Sequence, residues 1–302
     1  MILIHRLFLC QKGENMKDFL NNWFSKINIS YSKKKYLLEK YKSIEIIWNC
    51  KINELKKENN YLDGHDLNNI YSSKLVDNLI KEVDIVKANN IGTINILDEA
   101  YPKKLKYTSM PPLILFYKGN IELCSENSIG VIGTRNATEY GKKTSMEISK
   151  YIADNEIVVV SGMAYGIDMY AHMGAIRGKS HKTIAVLGNG LLECDIYPKV
   201  NIPLFNSIYK SGGLVLSEYP IYTKASKEHF PARNRIIAGL SDKVIVVEAG
   251  LKSGSFITVD YALEYGKEVF AVPGGIYSSK SIGCNYLIKE GANVVCNIKD
   301  IL

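Results

Sequence analysis

From Lys87 to the C-terminus, short β-rich runs alternate with segments long enough to form a helix, and this alternation leaves few architectures open. The runs are Asn90–Leu97, Leu113–Tyr117, Ser128–Ile132, Ile157–Val160, Thr183–Leu187, Leu214–Ser217, Lys243–Val247, Glu268–Val272 and Asn293–Val295. Consecutive strands that run parallel need a crossover of a dozen or so residues, and Tyr140–Asp154 and Ile167–Arg177 have that length. The expected class is α/β, with a mostly parallel sheet carrying helices on both faces over residues 87–302. Residues 1–86 read differently. They are glycine-poor, and apolar residues recur at helical spacing in Lys35–Trp48 (Leu37, Leu38, Tyr41, Ile44, Ile47, Trp48) and again in Ser73–Val86. A small helical module is expected there, with its lysines on a solvated outer face.

Composition narrows the function classes. With 46% hydrophobic and 23% charged residues, the chain is an ordinary globular one. The net charge of +7 is spread along it, with 14 basic against 11 acidic residues before Ile85 and 24 against 20 after. There is no basic tail, so the charge permits a polyanionic partner without demanding one. The six cysteines are scattered with no C-x-x-C pair, and the five histidines are equally dispersed. That pattern predicts reduced thiols, no disulfide framework, no metal site and no cofactor. Met1–Cys10 is apolar but contains His5 and Arg6 and has no small-residue cleavage site after it, so it reads poorly as a signal peptide. No stretch reaches the roughly 18 apolar residues of a membrane span. The expectation is a soluble, cytoplasmic protein without membrane contact.

In such a sheet, ligands bind outside the carboxyl ends of the strands, so the loops that follow the strands carry the chemistry. Gly130-Val131-Ile132-Gly133-Thr134-Arg135 offers glycines for close backbone approach, a hydroxyl at Thr134 and a guanidinium fork at Arg135; it is equally a plain strand-to-helix turn. The run Ser161-Gly162-Met163-Ala164-Tyr165-Gly166-Ile167-Asp168 places Asp168 and His172 on one helical face. That pair reads either as a general base or as an acid favoured by a helix N-terminus that holds a histidine. Gly188-Asn189-Gly190 leads to Tyr197-Pro198-Lys199 and Asn201, with Lys199 a candidate phosphate contact. In His229-Phe230-Pro231-Ala232-Arg233-Asn234-Arg235, two arginines flank an asparagine at a helix start, against the dipole preference. Either a bound anion or a fixed carboxylate resolves that conflict. Finally, Glu248-Ala249-Gly250-Leu251-Lys252-Ser253-Gly254-Ser255 suits an anion nest, with one of the two serines alternatively serving as an N-cap.

Taken in order, these motifs resemble the DprA (Smf) family of DNA-processing proteins. The matching stretches are Tyr101-Pro102, Gly130–Arg135, Ser161-Gly162-x-Ala164-x-Gly166-Ile167-Asp168 with Ala171-His172, Gly188-x-Gly190 with Tyr197-Pro198, and Ser217-Glu218-Tyr219-Pro220. They continue through Phe230-Pro231-x-Arg233-Asn234-Arg235-Ile236-Ile237, Ser253-Gly254-Ser255-x-Ile257-Thr258, Val272-Pro273-Gly274 and Gly283 with Asn285-x-Leu287-Ile288-x-x-Gly291-Ala292. The resemblance covers about residues 87–302; residues 30–60 resemble more loosely the family's sterile-alpha-motif-like module. It implies an extended Rossmann-like fold, a homodimer, binding of single-stranded DNA, and loading of RecA recombinase in natural transformation. As a departure from that pattern, the winged-helix domain that many members carry is expected to be absent, since the sequence stops at Leu302. The implied DNA contacts are Gly133, Thr134, Arg135, Ser161, Gly162, Lys199, Arg233, Asn234, Arg235, Ser253, Gly254 and Ser255. Tyr140, Tyr165, Tyr197 and Phe230 lie beside them in sequence as candidate base platforms, with only one or two expected to serve.

Two rival functions remain. Related nucleoside-monophosphate hydrolases of the lonely-guy, lysine-decarboxylase-like group use a P-G-G-x-G-T-x-x-E turn. Here Thr258 stands where that turn has its glutamate, and Pro273-Gly274-Gly275 runs into Ile276-Tyr277-Ser278 without completing the motif. The expectation is therefore a binding protein and not an enzyme. An adaptor that senses a free nucleotide in the same pocket is the other alternative.

Overall fold

Residues 14–74 and 76–302 are described in the computed structural model of the chain. The apolar start Met1–Cys10 lies outside the described residues.

Two compact units divide the chain. The first comprises residues through Tyr101 together with Pro112–Phe116 and Tyr219–Ile221. Its helices are α1 (Glu14–Lys26), α2 (Tyr31–Tyr41), α3 (Ile44–Asn49), α4 (Ile52–Glu58), α5 (Gly64–Ser72) and α6 (Val76–Ala88), followed by strand β1 (Gly92–Asn95). The helical spacing of Lys35–Trp48 is interrupted: Lys42 adopts the left-handed conformation (φ 53°) and closes α2, and the Ser43 hydroxyl then accepts from the Ile46 amide to start α3. A serine side chain that satisfies an otherwise orphaned helical N–H outweighs continuity of the apolar stripe. Asp63 and Asp66 cap α5 reciprocally. Trp23, Phe19, Phe24, Leu37, Leu38 and Ile47 form the core, with the Trp23 and Trp48 rings edge-on at 4.9 Å.

The second unit holds Pro102–Pro111, Tyr117–Glu218 and Tyr222–Leu302. Its strands are the end of β2 (Ile114–Gly119), β3 (Ser128–Ile132), β4 (Val158–Ser161), β5 (Thr183–Leu187), β6 (Leu214–Ser217), β7 (Lys243–Val246), β8 (Glu268–Ala271) and β9 (Asn293–Val294). They run in the order β2-β6-β5-β4-β3-β7-β8-β9, and the ladders β3–β4, β3–β7, β4–β5, β5–β6, β7–β8 and β8–β9 are parallel. The α/β class expected from the alternation is the one observed. The central strands are buried along their whole length, as their β-branched composition requires of a sheet covered on both faces. Helices α8 (Glu139–Asp154) and α9 (Ile167–Arg177) pack against each other and the sheet through Ile148, Ile152, Ile167 and Ala171. Helices α11 (His229–Leu240) and α12 (Ser255–Glu264) pack together elsewhere on the unit, which also holds α7 (Lys103–Lys106), α10 (Ile202–Lys210) and α13 (Ile282–Lys289).

One consequence of the strand order positions the site. The chain builds outward from β3 through β4, β5 and β6, then returns to place β7 on the other side of β3. Connections leave β3 in opposite directions, and a crevice opens there at the carboxyl ends of the strands.

Candidate phosphate and base site at the carboxyl edge of the sheet

A cavity of about 710 Å³ occupies that crevice. The loop after β3 contributes Gly133, Thr134 and Arg135; the loop after β4, Ala164; α9, Asp168. The start of α11 contributes Phe230, Pro231, Arg233 and Asn234, and the turn after β7 contributes Ser253, Gly254 and Ser255. Eight of the twelve residues expected at the site line this one cavity. Two helix N-termini face it, those of α11 and α12, and neither cap residue makes a side-chain capping bond. Such ends carry partial positive charge and amide donors, which suits an anion.

The loops are locked from behind. Glu248, buried, accepts the Thr138 hydroxyl at 2.5 Å on Oε1 and the Thr138 amide at 2.9 Å on Oε2, while its carbonyl accepts the Thr134 amide at 2.7 Å. Glu248 thus holds Thr138, whose own hydroxyl caps α8 by accepting the Gly141 amide at 3.2 Å, through its carboxylate, and holds the turn that presents Arg135 through its backbone carbonyl. The second turn is held in two left-handed steps, Met163 (φ 53°) and Gly166 (φ 74°). A β-carbon on Gly166 would lie 2.4 Å from the Thr134 carbonyl, so glycine is required there by space as well as by φ. The Asn201 side-chain amide donates to the Met163 carbonyl at 2.8 Å, which pins the same turn from the β5 side.

The cations differ in how they are held. Arg135 is exposed, lies over the Phe230 ring at 4.8 Å, and forms no ion pair among the described residues. Arg233 is buried; its Nη1 donates to the Gly162 carbonyl at 2.5 Å and to the Val186 carbonyl, and its Nε to Asn234 Oδ1 at 3.2 Å. The guanidinium lies where a β-carbon of residue 162 would be, within 2.3 Å, so only glycine leaves it room. Burial holds the Asp168 carboxyl above the usual carboxylate range, against the pull of the Arg233 and Arg135 charges and of the Ala164 and Gly162 amides. Lys227, exposed on the loop before α11, also lines the cavity.

Four expected contacts are placed otherwise. Arg235 turns away and forks onto Glu218, Nη1 to Oε1 at 2.7 Å and Nη2 to Oε2 at 2.6 Å, with Nε donating to the Met110 carbonyl at 2.8 Å. Of the two readings for the paired arginines, the fixed carboxylate applies to Arg235. The buried Ser161 hydroxyl donates to the Val131 carbonyl at 2.7 Å, so it is spent across the sheet. Gly162 supports Arg233 without lining the cavity, and Lys199 sits exposed on a short turn outside it. His172 is not paired with Asp168. Its Nδ1 lies 2.7 Å from Thr183 Oγ1, and burial, aided by the Arg233 charge, pushes its pKa down to about 3. His172 lies outside the cavity lining, so the acid–histidine pair expected on this helical face is not formed.

The aromatic side chains form a run. Tyr165 meets Tyr197 edge-on at 6.4 Å, Tyr197 lies 5.9 Å from Phe230, and Phe230 carries Arg135. Tyr165 and Tyr197 are nearly half exposed. Tyr140 belongs elsewhere, its hydroxyl donating to the Pro273 carbonyl at 3.1 Å. Sequence reasoning missed Lys227. Its signal was a basic residue three positions before Phe230, in a loop that feeds a helix N-terminus.

A family model described as DNA recombination-mediator protein A matches residues 92–302. The DNA processing protein DprA of Streptococcus pneumoniae is 46% identical over 211 residues, covering 70% of this chain and 73% of that one. Its X-ray structure superposes with a TM-score of 0.80 at 36% identity, covering 94% of this chain and 96% of that chain. DNA processing protein A of Helicobacter pylori, solved for its single-stranded DNA binding mode, gives a TM-score of 0.62 at 33% identity over 70% of this chain and 93% of that one. Among the described residues no helix is long and apolar enough to cross a membrane, and no group of three or more His, Cys, Asp or Glu is placed to hold a metal ion.

Proposed function

The chain belongs to the DNA recombination-mediator protein A family, and from that premise we propose that its cavity holds single-stranded DNA. The supporting observation is the gathering of Arg135, Lys227 and Arg233 with two helix N-termini beside the run Tyr165–Tyr197–Phe230. The cations and amides take phosphates. The rings take bases, whose faces any sequence presents, while a duplex keeps its bases stacked and out of reach. Gly133, Thr134, Asn234, Ser253, Gly254 and Ser255 complete the phosphate-facing wall. Ser161, Gly162 and Arg235 act through the framework.

The finer reading is that the protein works as a homodimer in the cytoplasm, shields incoming strands and passes them to RecA during transformation. Hydrolysis of nucleoside monophosphates is disfavoured because Thr258, at the cavity wall, has no carboxylate to offer. Anisotropy with a labelled oligothymidine of about 20 nucleotides, competed by duplex and by mononucleotide, tests the reading. The expected outcome is tight, salt-sensitive binding competed by single strands alone. Equal competition by thymidine monophosphate points instead to a nucleotide sensor, and release of free base from a monophosphate to an enzyme.

A further inference from the structure

Beyond the cavity, two of the three most exposed large apolar side chains of the second unit, among the described residues, sit on one turn after β8. Ile276 and Tyr277 are 76% and 96% exposed. They are the two central residues of a closed turn in which the Ser278 amide donates to the Gly275 carbonyl at 2.9 Å. The base of the loop is clamped: the Gly274 amide donates to Asn285 Oδ1 at 3.1 Å, and Asn285 Nδ2 donates back to the Gly274 carbonyl at 3.0 Å. The Tyr140 hydroxyl, which the cavity does not use, bonds Pro273 at the same base. An aromatic ring held out on a pinned turn is costly to expose and is poised to stack.

The loop also adjoins the cavity wall. Strands β7 and β8 are parallel neighbours, so the loops after them leave the sheet at one edge. The Gly283 amide donates to the Ala249 carbonyl at 2.8 Å, and a β-carbon on Gly250 would lie 3.1 Å from the Ser279 carbonyl. The Ser253 amide in turn donates to the Gly250 carbonyl at 3.0 Å, and Ser253 lines the cavity. Residues 249–258 and 271–289 contain Lys252, Lys280 and Lys289 and no acidic residue. These two stretches therefore bring three lysines and no carboxylate of their own to the rim, which favours a polyanion there.

We infer that the Ile276–Tyr277 turn is a second nucleobase platform, which takes bases of a single strand after it leaves the cavity along the Ser253–Gly250 rim. The inference rests on the reading of the cavity as a single-strand site. It is tested on the full chain with two oligothymidines, one of about 5 nucleotides that the cavity accommodates and one of about 20 that extends past it. Tyr277→Ala is expected to weaken the long oligonucleotide about tenfold and leave the short one unchanged, and Tyr277→Trp to restore the long one. Because Tyr277 is almost wholly exposed, an unfolding effect does not confuse the result, and thermal melting of the variant checks this. Unchanged affinity for the long oligonucleotide overturns the platform, as does an equal loss for both lengths. Sedimentation of both proteins covers the remaining occupant: if Tyr277→Ala alters the oligomeric state, the turn is covered by a second copy and the platform is wrong. If the unmodified protein binds neither oligonucleotide, the cavity reading itself is lost.

Discussion

Arg135 and Arg235 are the same residue type at the same edge of the sheet, yet substitution at the two should fail in opposite ways. Arg135 is exposed over Phe230 and carries no ion pair among the described residues, so its charge is available to a ligand. Arg135→Ala is expected to leave the urea midpoint in place. It should weaken single-strand binding uniformly across sequences and reduce the log–log salt slope by about 0.7, the amount for one phosphate on a single strand. Arg235 is buried and forked onto Glu218. Removing it strands a partly buried carboxylate and the Met110 carbonyl, at a cost of about 2–3 kcal/mol in urea denaturation. The salt slope should be unchanged once the folded fraction is corrected for. If Arg235→Ala proves stable and loses binding instead, the ion pair has been misread. The sequence announced that the two arginines conflict with a helix N-terminus, but which resolution each adopts depends on Glu218, Gly162 and Val186. Those residues are 17, 71 and 47 positions away from their arginines.

At the scale of elements, the expected strands and crossover helices match those formed to within a residue or so at most ends, because β-branched runs and apolar periodicity are local properties. The exceptions are a local cap and a long-range tie. The stripe through Lys35–Trp48 is cut by the Ser43 cap, and the turn after β3 is held by Glu248, over a hundred residues from Thr138, the cap of α8 that it also bonds. The α9–β5 contact supports a prediction of the same kind. His172, on α9, faces Thr183 at the start of β5 and is held neutral, with its pKa pushed down to about 3 from an ordinary value of 6.5. Between those two values the unfolded chain binds a proton that the folded chain does not, so stability rises with pH across this window. Acidification below 6.5 thus removes about 1.4 kcal/mol per pH unit through this residue, and above 6.5 it contributes no slope. His172→Gln keeps a partner for Thr183 and titrates nothing. Its urea midpoint should fall less steeply than that of the unmodified protein from pH 6.5 to 5, and converge with the same slope above pH 7. Parallel pH profiles would mean that His172 is protonated in the folded state.

For the whole molecule, bulk charge is a poor guide: +7 over 302 residues, spread evenly, gives no hint of where a polyanion sits. The cavity is charged because strand order, and not sequence neighbourhood, brings together residues 132–135, 164–168, 225–237 and 253–258. The motifs along the chain indicated which loops matter; the reversal at β3 decides which of their side chains point inward. All four segments belong to the second unit, and a strand laid across them adds contacts shared by all four to the bonds that already join them. Ligand that binds only the folded form stabilises it by about 2.7 kcal/mol at a hundredfold excess over Kd. Hydrogen exchange at that excess should therefore slow in these segments, most at the amides around Gly133–Arg135 and Ser253–Ser255, which are least constrained by ladders. Residues 14–74, which line no part of the cavity, should exchange at their unliganded rate. Protection confined to the helices of the first unit, with residues 132–135 and 253–258 unaffected, would place the single-strand site away from the sheet edge altogether.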